Sequence, residues 1–414
     1  MDKEINLKTK IYLQLSLMMF LEFFVWGAWY VTVGNYMTRV GLTDAIYWAY
    51  TVGPIGAIIS PFFLGMIADR FFATEKVLGV LHLIGGLAIF LTPFVGEGDS
   101  QSAPLFIILL MIHMLCYMPT VSLVNTLAFH QISDQEKYFP VIRVFGTLGW
   151  IIAGIFVSYV LGADETAIPL QIAAAASFVM GLYSFTLPHT PPPAAGEKIT
   201  AREIMGLDAL SQLKSRPFFV FIISSFLICI PLAVYYAYAP VFVNVLKISN
   251  PAFKMSFGQM SEVVFILLMP FFFRLLGVKW MLFVGMLAWV LRYALFSLAA
   301  PDAVLWMVMG GILLHGICYD FLFVAGQIYV DKKSTAAIRG QAQGFLVLVT
   351  YGIGMFIGAQ VSGWVFNSVV NGDSTNLMYQ WQYFWMLPAI LAGIILIFFA
   401  IFFNEKKLIT QTNN

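Results

Sequence analysis

Residues 256–273 read SFGQMSEVVFILLMPFFF. Four polar residues, Ser256, Gln259, Ser261 and Glu262, stand among apolar ones and a glycine, in a run long enough to count as membrane-grade. A helix that spans a bilayer needs about 20 mostly apolar residues. A charged side chain at the centre of such a helix costs about 2.5–3.5 kcal/mol, so it normally faces a cavity or a partner. Gln259 and Glu262 lie three residues apart and share one helix face. A carboxylate and an amide on one face can accept and donate hydrogen bonds to a hydroxyl-rich solute. They can equally bond a neighbouring helix.

The rest of the chain has the same character. Of 414 residues, 60% are hydrophobic and 10% are charged, against about 45–50% and about 25% in a soluble domain. Few water-soluble surfaces can be built from such a chain, so it reads as an all-α, polytopic membrane protein. A formal charge of +1 with no basic block gives nucleic-acid binding no support. Cys116, Cys229 and Cys318 fall in apolar runs without metal-ligand spacing. The start MDKEINLKTK precedes a long apolar stretch with no small-residue cleavage signature, which reads as a retained first helix.

Apolar runs between polar breaks number twelve: 12–38, 45–68, 76–95, 103–129, 140–162, 168–188, 217–246, 256–276, 279–298, 303–330, 338–368 and 380–404. Most of the 22 Lys and Arg fall in alternate loops, which puts both termini in the cytoplasm. The longest break, 187–217, is Pro-rich and then charged. It divides the runs six and six, giving an N-terminal bundle over 1–188, a cytoplasmic linker over 189–216 and a C-terminal bundle over 217–414. Internal repeats of this kind build many secondary transporters. Weak echoes agree with it: SPFFLG at 60–65 and MPFFFR at 269–274, VIRVFG at 141–146 and AIRGQAQG at 337–344. The break GMIADRFFATEK (65–76) resembles the signature loop of the major facilitator superfamily. That resemblance implies a gating role for Gly65, Asp69 and Arg70.

Besides Glu262 and the Lys and Arg at the cytoplasmic ends of the runs, four charged residues sit inside predicted spans: Glu22, Arg143, Arg292 and Asp320. A desolvated carboxylate such as Glu22 can trade protons near neutral pH or simply bond a neighbouring helix. Arg143, Thr147 and Trp150 fall at i, i+4 and i+7 and form one stripe. A guanidinium, a hydroxyl and an indole suit a polar, ring-bearing ligand. His315 and Tyr319 share a face, as do Asp320 and Gln327. Arg292 reads as a structural partner or snorkelling group. His113 and Cys116 lack the second pair a metal would need, and no Walker-type loop supports ATP-driven pumping. No nucleophile, base and orienting group recur at usable spacing, so the chain does not read as an enzyme.

The stretches WGAWYVTVGNYM (26–37), YMPTVSLVNTLAF (117–129), FPVIRVFGTLGW (139–150), QMSEVVFILLMPFF (259–272), WVLRYALF (289–296) and YDF (319–321) together resemble the nucleoside:proton symporter family of the major facilitator superfamily. The resemblance covers nearly the whole chain. It implies a proton-coupled importer of nucleosides working by alternating access, with no cofactor beyond the coupling proton. It implies that Arg143, Thr147 and Trp150 line the solute site, that Gln259 and Glu262 bind polar groups of the solute, that Tyr319 stacks, and that Asp320 serves binding or proton coupling. Four positions depart from the family pattern. Ala233 and Tyr236 stand where a glutamine and an asparagine are expected, His315 where a tyrosine is, and Glu22 where a glutamine is. Ala233, Tyr236 and His315 are therefore counted with the solute-binding positions, and Glu22 with Glu262 and Asp320 as candidate proton carriers. Lost amides and an added aromatic face favour stacking over amide readout, so a sugar or other glycoside is the alternative cargo. A non-transporting membrane receptor is a third reading, with no need for mid-span carboxylates. We expect a monomer in the bacterial inner membrane.

Overall fold

A computed structural model describes residues 2–64, 71–96, 102–192, 200–335, 338–372 and 375–404. Among the described residues every regular element is helical. A spanning segment in hydrocarbon must satisfy its own backbone groups, and a helix does so within one segment. In chain order the helices are α1 (Asp2–Trp29), α2 (Val33–Arg39), α3 (Ile46–Phe63), α4 (Thr74–Gly96), α5 (Ala103–Gln131), α6 (Gln135–Gly154) and α7 (Ile168–Ser184). Short α8 (Ala201–Ile204) and α9 (Leu207–Gln212) lead to α10 (Arg216–Val245), α11 (Pro251–Ala299), α12 (Leu305–Leu313) and α13 (His315–Tyr319). They are followed by α14 (Ala325–Lys333), α15 (Arg339–Val347), α16 (Met355–Val369) and α17 (Leu377–Phe402). Three π-helical stretches interrupt the winding: Ile155–Val160, Asp320–Val324 and Leu348–Gly354.

Ten helical stretches among the described residues are long and apolar enough to cross a membrane. The expected runs 256–276 and 279–298 fall within the 49 residues of α11. They are set apart by Gly277, whose φ of 67° and ψ of 173° leave the helical region. Glycine populates that region without the penalty a Cβ brings. The expected run 168–188 is the 17-residue α7, which stops at Ser184. The expected first run, 12–38, holds α1, a loosened turn and α2. There Tyr50 donates its hydroxyl to the Tyr30 carbonyl at 2.9 Å, satisfying an acceptor the turn uncovers.

The helices gather into two compact units, residues 1–204 with 236–256 and residues 205–235 with 257–414. The division runs through α10, between Tyr235 and Tyr236. In the first unit α1 lies along α6 and α7, α4 against α5 and α7, and α3 against α5. Its core is Leu15, Met18, Met19, Leu78, Leu123, Leu127 and Met180. Lipid tails are as apolar as these residues, so close packing must hold the helices together. Glycine supplies the closeness. A Cβ added at Gly27 would stand 2.8 Å from Trp150 Cα, one at Gly56 2.8 Å from the Met114 carbonyl oxygen, and one at Gly149 would run into the Phe20 carbonyl. In the second unit Gly358 lets α16 press on Cys229 and Ala233 of α10, and Gly316 lets α13 press on Ser261 of α11. Large apolar side chains such as Leu182, Leu267 and Trp364 point outward, as they should in lipid.

Asp164 anchors the turn between α6 and α7. It accepts from Ser158 Oγ at 2.7 Å and from the Ala252 amide, at the start of α11, at 2.9 Å. Asn250 Nδ2 donates to the Ser158 carbonyl beside it at 3.2 Å. Burial pushes the Asp164 carboxyl above its ordinary range, against the pull of those two hydrogen bonds.

Two outcomes follow from this packing. Gly149→Ala lowers the melting temperature of the purified protein in detergent, by overpacking worth about 1–3 kcal/mol. Gly393→Ala, where an added Cβ meets open space, leaves it unchanged. The folded state binds the Asp164 proton more tightly than the unfolded chain does. Its contribution to stability therefore falls as pH rises from the ordinary carboxylate range through the raised value. In melting curves taken across that range, Asp164→Asn flattens this slope.

Candidate functional site

In the first unit the α6 stripe is laid against α1. The Arg143 guanidinium sits 4.1 Å from the Phe23 ring centroid. Gly146 makes this possible, since a Cβ there would come within 2.7 Å of both Arg143 Nη1 and the Phe23 ring. Trp150 meets Trp26 and Tyr30 edge-on, at centroid distances of 5.4 and 5.9 Å. Tyr236 meets the same Tyr30 at 5.8 Å. Arg143, Thr147, Trp150, Trp26 and Tyr236 are each only half-buried. The stripe thus ends in a group of aromatic edges and faces that are not sealed, with a cation and a hydroxyl along one side. Such a surface can stack a flat ring and donate to its oxygens.

Glu22 lies on α1, wholly buried. Its Oε2 stands 2.8 Å from His82 Nε2 of α4, and its Oε1 accepts from Thr120 Oγ of α5 at 2.7 Å. Tyr117 donates its hydroxyl to the Glu22 backbone carbonyl at 2.7 Å. His113 stays out of this contact. Its Nδ1 bonds the Gly85 carbonyl at 3.0 Å, and its ring stacks on Tyr117. Among the described residues no group of His, Cys, Asp and Glu is arranged to hold a metal.

The second unit holds the other group. His315 is buried and stacks on Tyr235 at 5.3 Å, and its Nε2 lies 3.9 Å from Glu262 Oε2. Glu262 itself is 27% exposed. Tyr319 meets the His315 ring at 5.8 Å. Gln259 places its side-chain oxygen in the interior without a hydrogen-bond partner among the described residues. Asp320 is wholly buried at the start of a π-helical stretch, and neither of its oxygens has such a partner. π-helical stretches often mark functional positions. Gln327, paired with Asp320 by spacing, is exposed in the first turn of α14, whereas Asp320 is wholly buried. Ala233 is wholly buried, its methyl aimed at Gly358. It packs α10 closely against α16. Gly65, Asp69 and Arg70 lie outside the described residues.

Three residues of this arrangement were not singled out from sequence. His82 sits in the apolar run VLGVLHLIGG (77–86) and carried the same signal as the carboxylates, a titratable group inside a span. Trp26 and Tyr30 lie in a motif dense in aromatics, where sequence gives no means of telling which ring faces inward.

Comparison with known proteins places this geometry. The sequence pattern of the family described as Nucleoside H+ symporter matches residues 9–408. The chain is 38% identical to the putative nucleoside transporter YegT of Escherichia coli, covering 95% of this chain and 94% of that one. It is 30% identical to the nucleoside permease NupG of the same organism, over 97% of each. A crystal structure of nucleoside transporter NupG superposes with a TM-score of 0.83, covering 96% of this chain and all of that one at 29% identity.

Arg292 separates structure from site. Its side chain is wholly buried. The guanidinium lies 4.0 Å from the Tyr235 ring centroid and 4.7 Å from that of Trp289, and Nε donates to the Gly311 carbonyl at 3.0 Å. A lysine keeps the charge but not the planar stack or the aimed Nε–H. Arg292→Lys therefore destabilises the purified protein by about 1–3 kcal/mol, read as a lower melting temperature.

Proposed function

The chain belongs to the nucleoside H+ symporter family, and from that premise we propose that it carries nucleosides into the cell together with protons, by alternating access. It is a multi-pass membrane protein. We place it in the bacterial inner membrane as a monomer, with twelve spans in two six-helix halves of the major facilitator type, 1–188 and 217–414, joined by the linker 189–216. Both termini are then cytoplasmic. The bias of Lys and Arg toward alternate loops supports that orientation.

The observation that carries the substrate reading is the half-buried stripe of Arg143, Thr147 and Trp150 laid against Trp26 and Tyr30. In this reading Trp150 and Tyr236 offer faces to the base, while Arg143 and Thr147 donate to its oxygens or to those of the ribose. Gln259, with an uncommitted oxygen, and Glu262, partly exposed, bind hydroxyls or base edges. His315 and Tyr319 back Glu262. Ala233 acts indirectly, by keeping α10 close to α16 within the second unit. Glu262, Asp320 and Glu22 are the candidate proton carriers, and Gly65, Asp69 and Arg70 the gate. The proton is the coupling ion, with no further cofactor.

A sugar or other glycoside is the second cargo. It is favoured by the aromatic Tyr236 and the apolar Ala233, which leave fewer amides to read a base.

Uptake of labelled uridine and adenosine into proteoliposomes decides between them. A pH gradient, acid outside, raises nucleoside accumulation, and unlabelled sugars do not compete. Uptake indifferent to the gradient, or competition by sugars alone, removes the nucleoside–proton reading. Trp150→Ala weakens apparent substrate affinity about 5- to 150-fold, the worth of one stacked ring at about 1–3 kcal/mol.

A further inference from the structure

Glu22 is not a lone carboxylate. Four helices of the first unit deliver one polar group each to the same place: Glu22 from α1, His82 from α4, Thr120 from α5 and Ser177 from α7. None is more than 2% exposed. His82 Nε2 is 2.8 Å from Glu22 Oε2, and His82 Nδ1 is 3.1 Å from Ser177 Oγ. One turn along α4, Gly86 keeps α7 close, since a Cβ there would meet Ser177 Cβ at 3.2 Å.

Each of the two hydroxyls faces a choice of acceptors. Ser177 Oγ lies 2.9 Å from the His82 backbone carbonyl as well as 3.1 Å from Nδ1. Thr120 Oγ lies 2.6 Å from the Tyr117 carbonyl as well as 2.7 Å from Glu22 Oε1. A hydroxyl has one hydrogen to give. The cluster can therefore be wired in two ways that differ by one proton. In the first, His82 is neutral, its Nε2–H donates to the Glu22 carboxylate, and the Ser177 hydroxyl donates to Nδ1. In the second a proton has entered. Nδ1–H now donates to Ser177 Oγ, Ser177 has turned its own hydrogen to the His82 carbonyl, and one proton lies between Nε2 and Oε2. The heavy atoms need not move, and both ring nitrogens and both carboxylate oxygens keep a partner. A site that is fully hydrogen-bonded before and after a proton arrives avoids the penalty of an unsatisfied buried group.

We propose that Glu22 and His82 together hold one of the protons that drive transport, with Ser177 as the hydroxyl that rewires on loading and Thr120 as the donor that holds the carboxylate. This rests on the reading of the chain as a proton-coupled transporter and assigns that role to a pair rather than to a single carboxylate. The loaded pair is neutral overall and the empty pair carries one negative charge, so loading changes the charge held between α1 and α4. The pair is closed off from solvent, and its proton exchanges when these helices part. Among the described side chains, other titratable or charged groups on the surrounding segments are Lys10 and Tyr12 on α1, Tyr30 in the turn that follows it, and Glu75 and Lys76 on α4. On the helices packed against them stand His113, Cys116, Tyr117 and His130 of α5, Lys137, Tyr138 and Arg143 of α6, and Tyr183 of α7.

The test compares two transport modes in proteoliposomes. Glu22→Gln and His82→Gln are expected to lose accumulation driven by an acid-outside gradient while still exchanging labelled for unlabelled nucleoside. Full gradient-driven accumulation by either variant overturns the proposal, and so does loss of both modes together in a variant that keeps its melting temperature. Should either variant fail to fold, Thr120→Val decides. It removes a donor that favours the charged carboxylate, so the pH at half-maximal accumulation moves up, by about one unit; an unmoved midpoint overturns the proposal. The imidazole 15N signal of His82 in purified protein, assigned by its loss in His82→Gln, needs no substrate. It responds to pH in the wild type, and that response changes in Thr120→Val. A titrating His82 in a protein that carries no nucleoside removes the nucleoside reading and leaves the proton site standing. A His82 that does not titrate between pH 4 and 9, a window of several units around the ordinary value, removes the proton site alone.

Discussion

A polar side chain buried in a membrane protein has no water to turn to, and that constraint organises this molecule. Each group meets it differently. Glu22 is held by His82, Thr120 and, through its backbone carbonyl, Tyr117. Arg292 spreads its charge over two aromatic faces and one carbonyl. Asp320 has no hydrogen-bond partner for either oxygen among the described residues. The first two are answered within their own unit. The third is left without such a partner, which makes it a candidate for the binding or protonation step proposed above.

The second constraint is closeness. Hydrophobic burial does not drive one helix onto another in lipid, so small residues must let backbones meet. Gly27 and Gly149 bring α1 onto α6, and only at that separation can Trp150 touch Trp26 and Tyr30. Gly146 then leaves room for the Arg143 guanidinium over Phe23. The candidate site on α6 is thus made by its glycines as much as by the residues that would touch a solute. On α10 the same logic runs the other way. Ala233 fills a close contact with Gly358 of α16, so a position counted with the solute-binding residues serves packing.

The proton-coupled reading gains from the way polar groups are distributed. The first unit holds a closed and fully bonded carboxylate–imidazole pair, and the second a partly exposed Glu262 beside His315. One arrangement suits holding a proton away from water and the other suits meeting a solute. Assigning different carboxylates to different duties follows from their surroundings, since all three look alike as single residues in apolar runs.

Sequence by itself determined the membrane class, the helical runs and the costly residues within them. Those follow from transfer free energies, which act residue by residue and need no neighbours. It also placed Arg143, Thr147 and Trp150 on one stripe, because helical periodicity is local. It did not show that the runs 256–276 and 279–298 lie in one helix broken at Gly277, since a single backbone angle decides that. Nor did it separate Asp320 from Gln327, which share a face by spacing but not an environment. The partnership of Glu22 with His82, 60 residues along the chain, belonged to tertiary structure alone. Hydrogen bonds reach about 3 Å, and only the packing of α1 on its neighbours brings those two atoms within that distance.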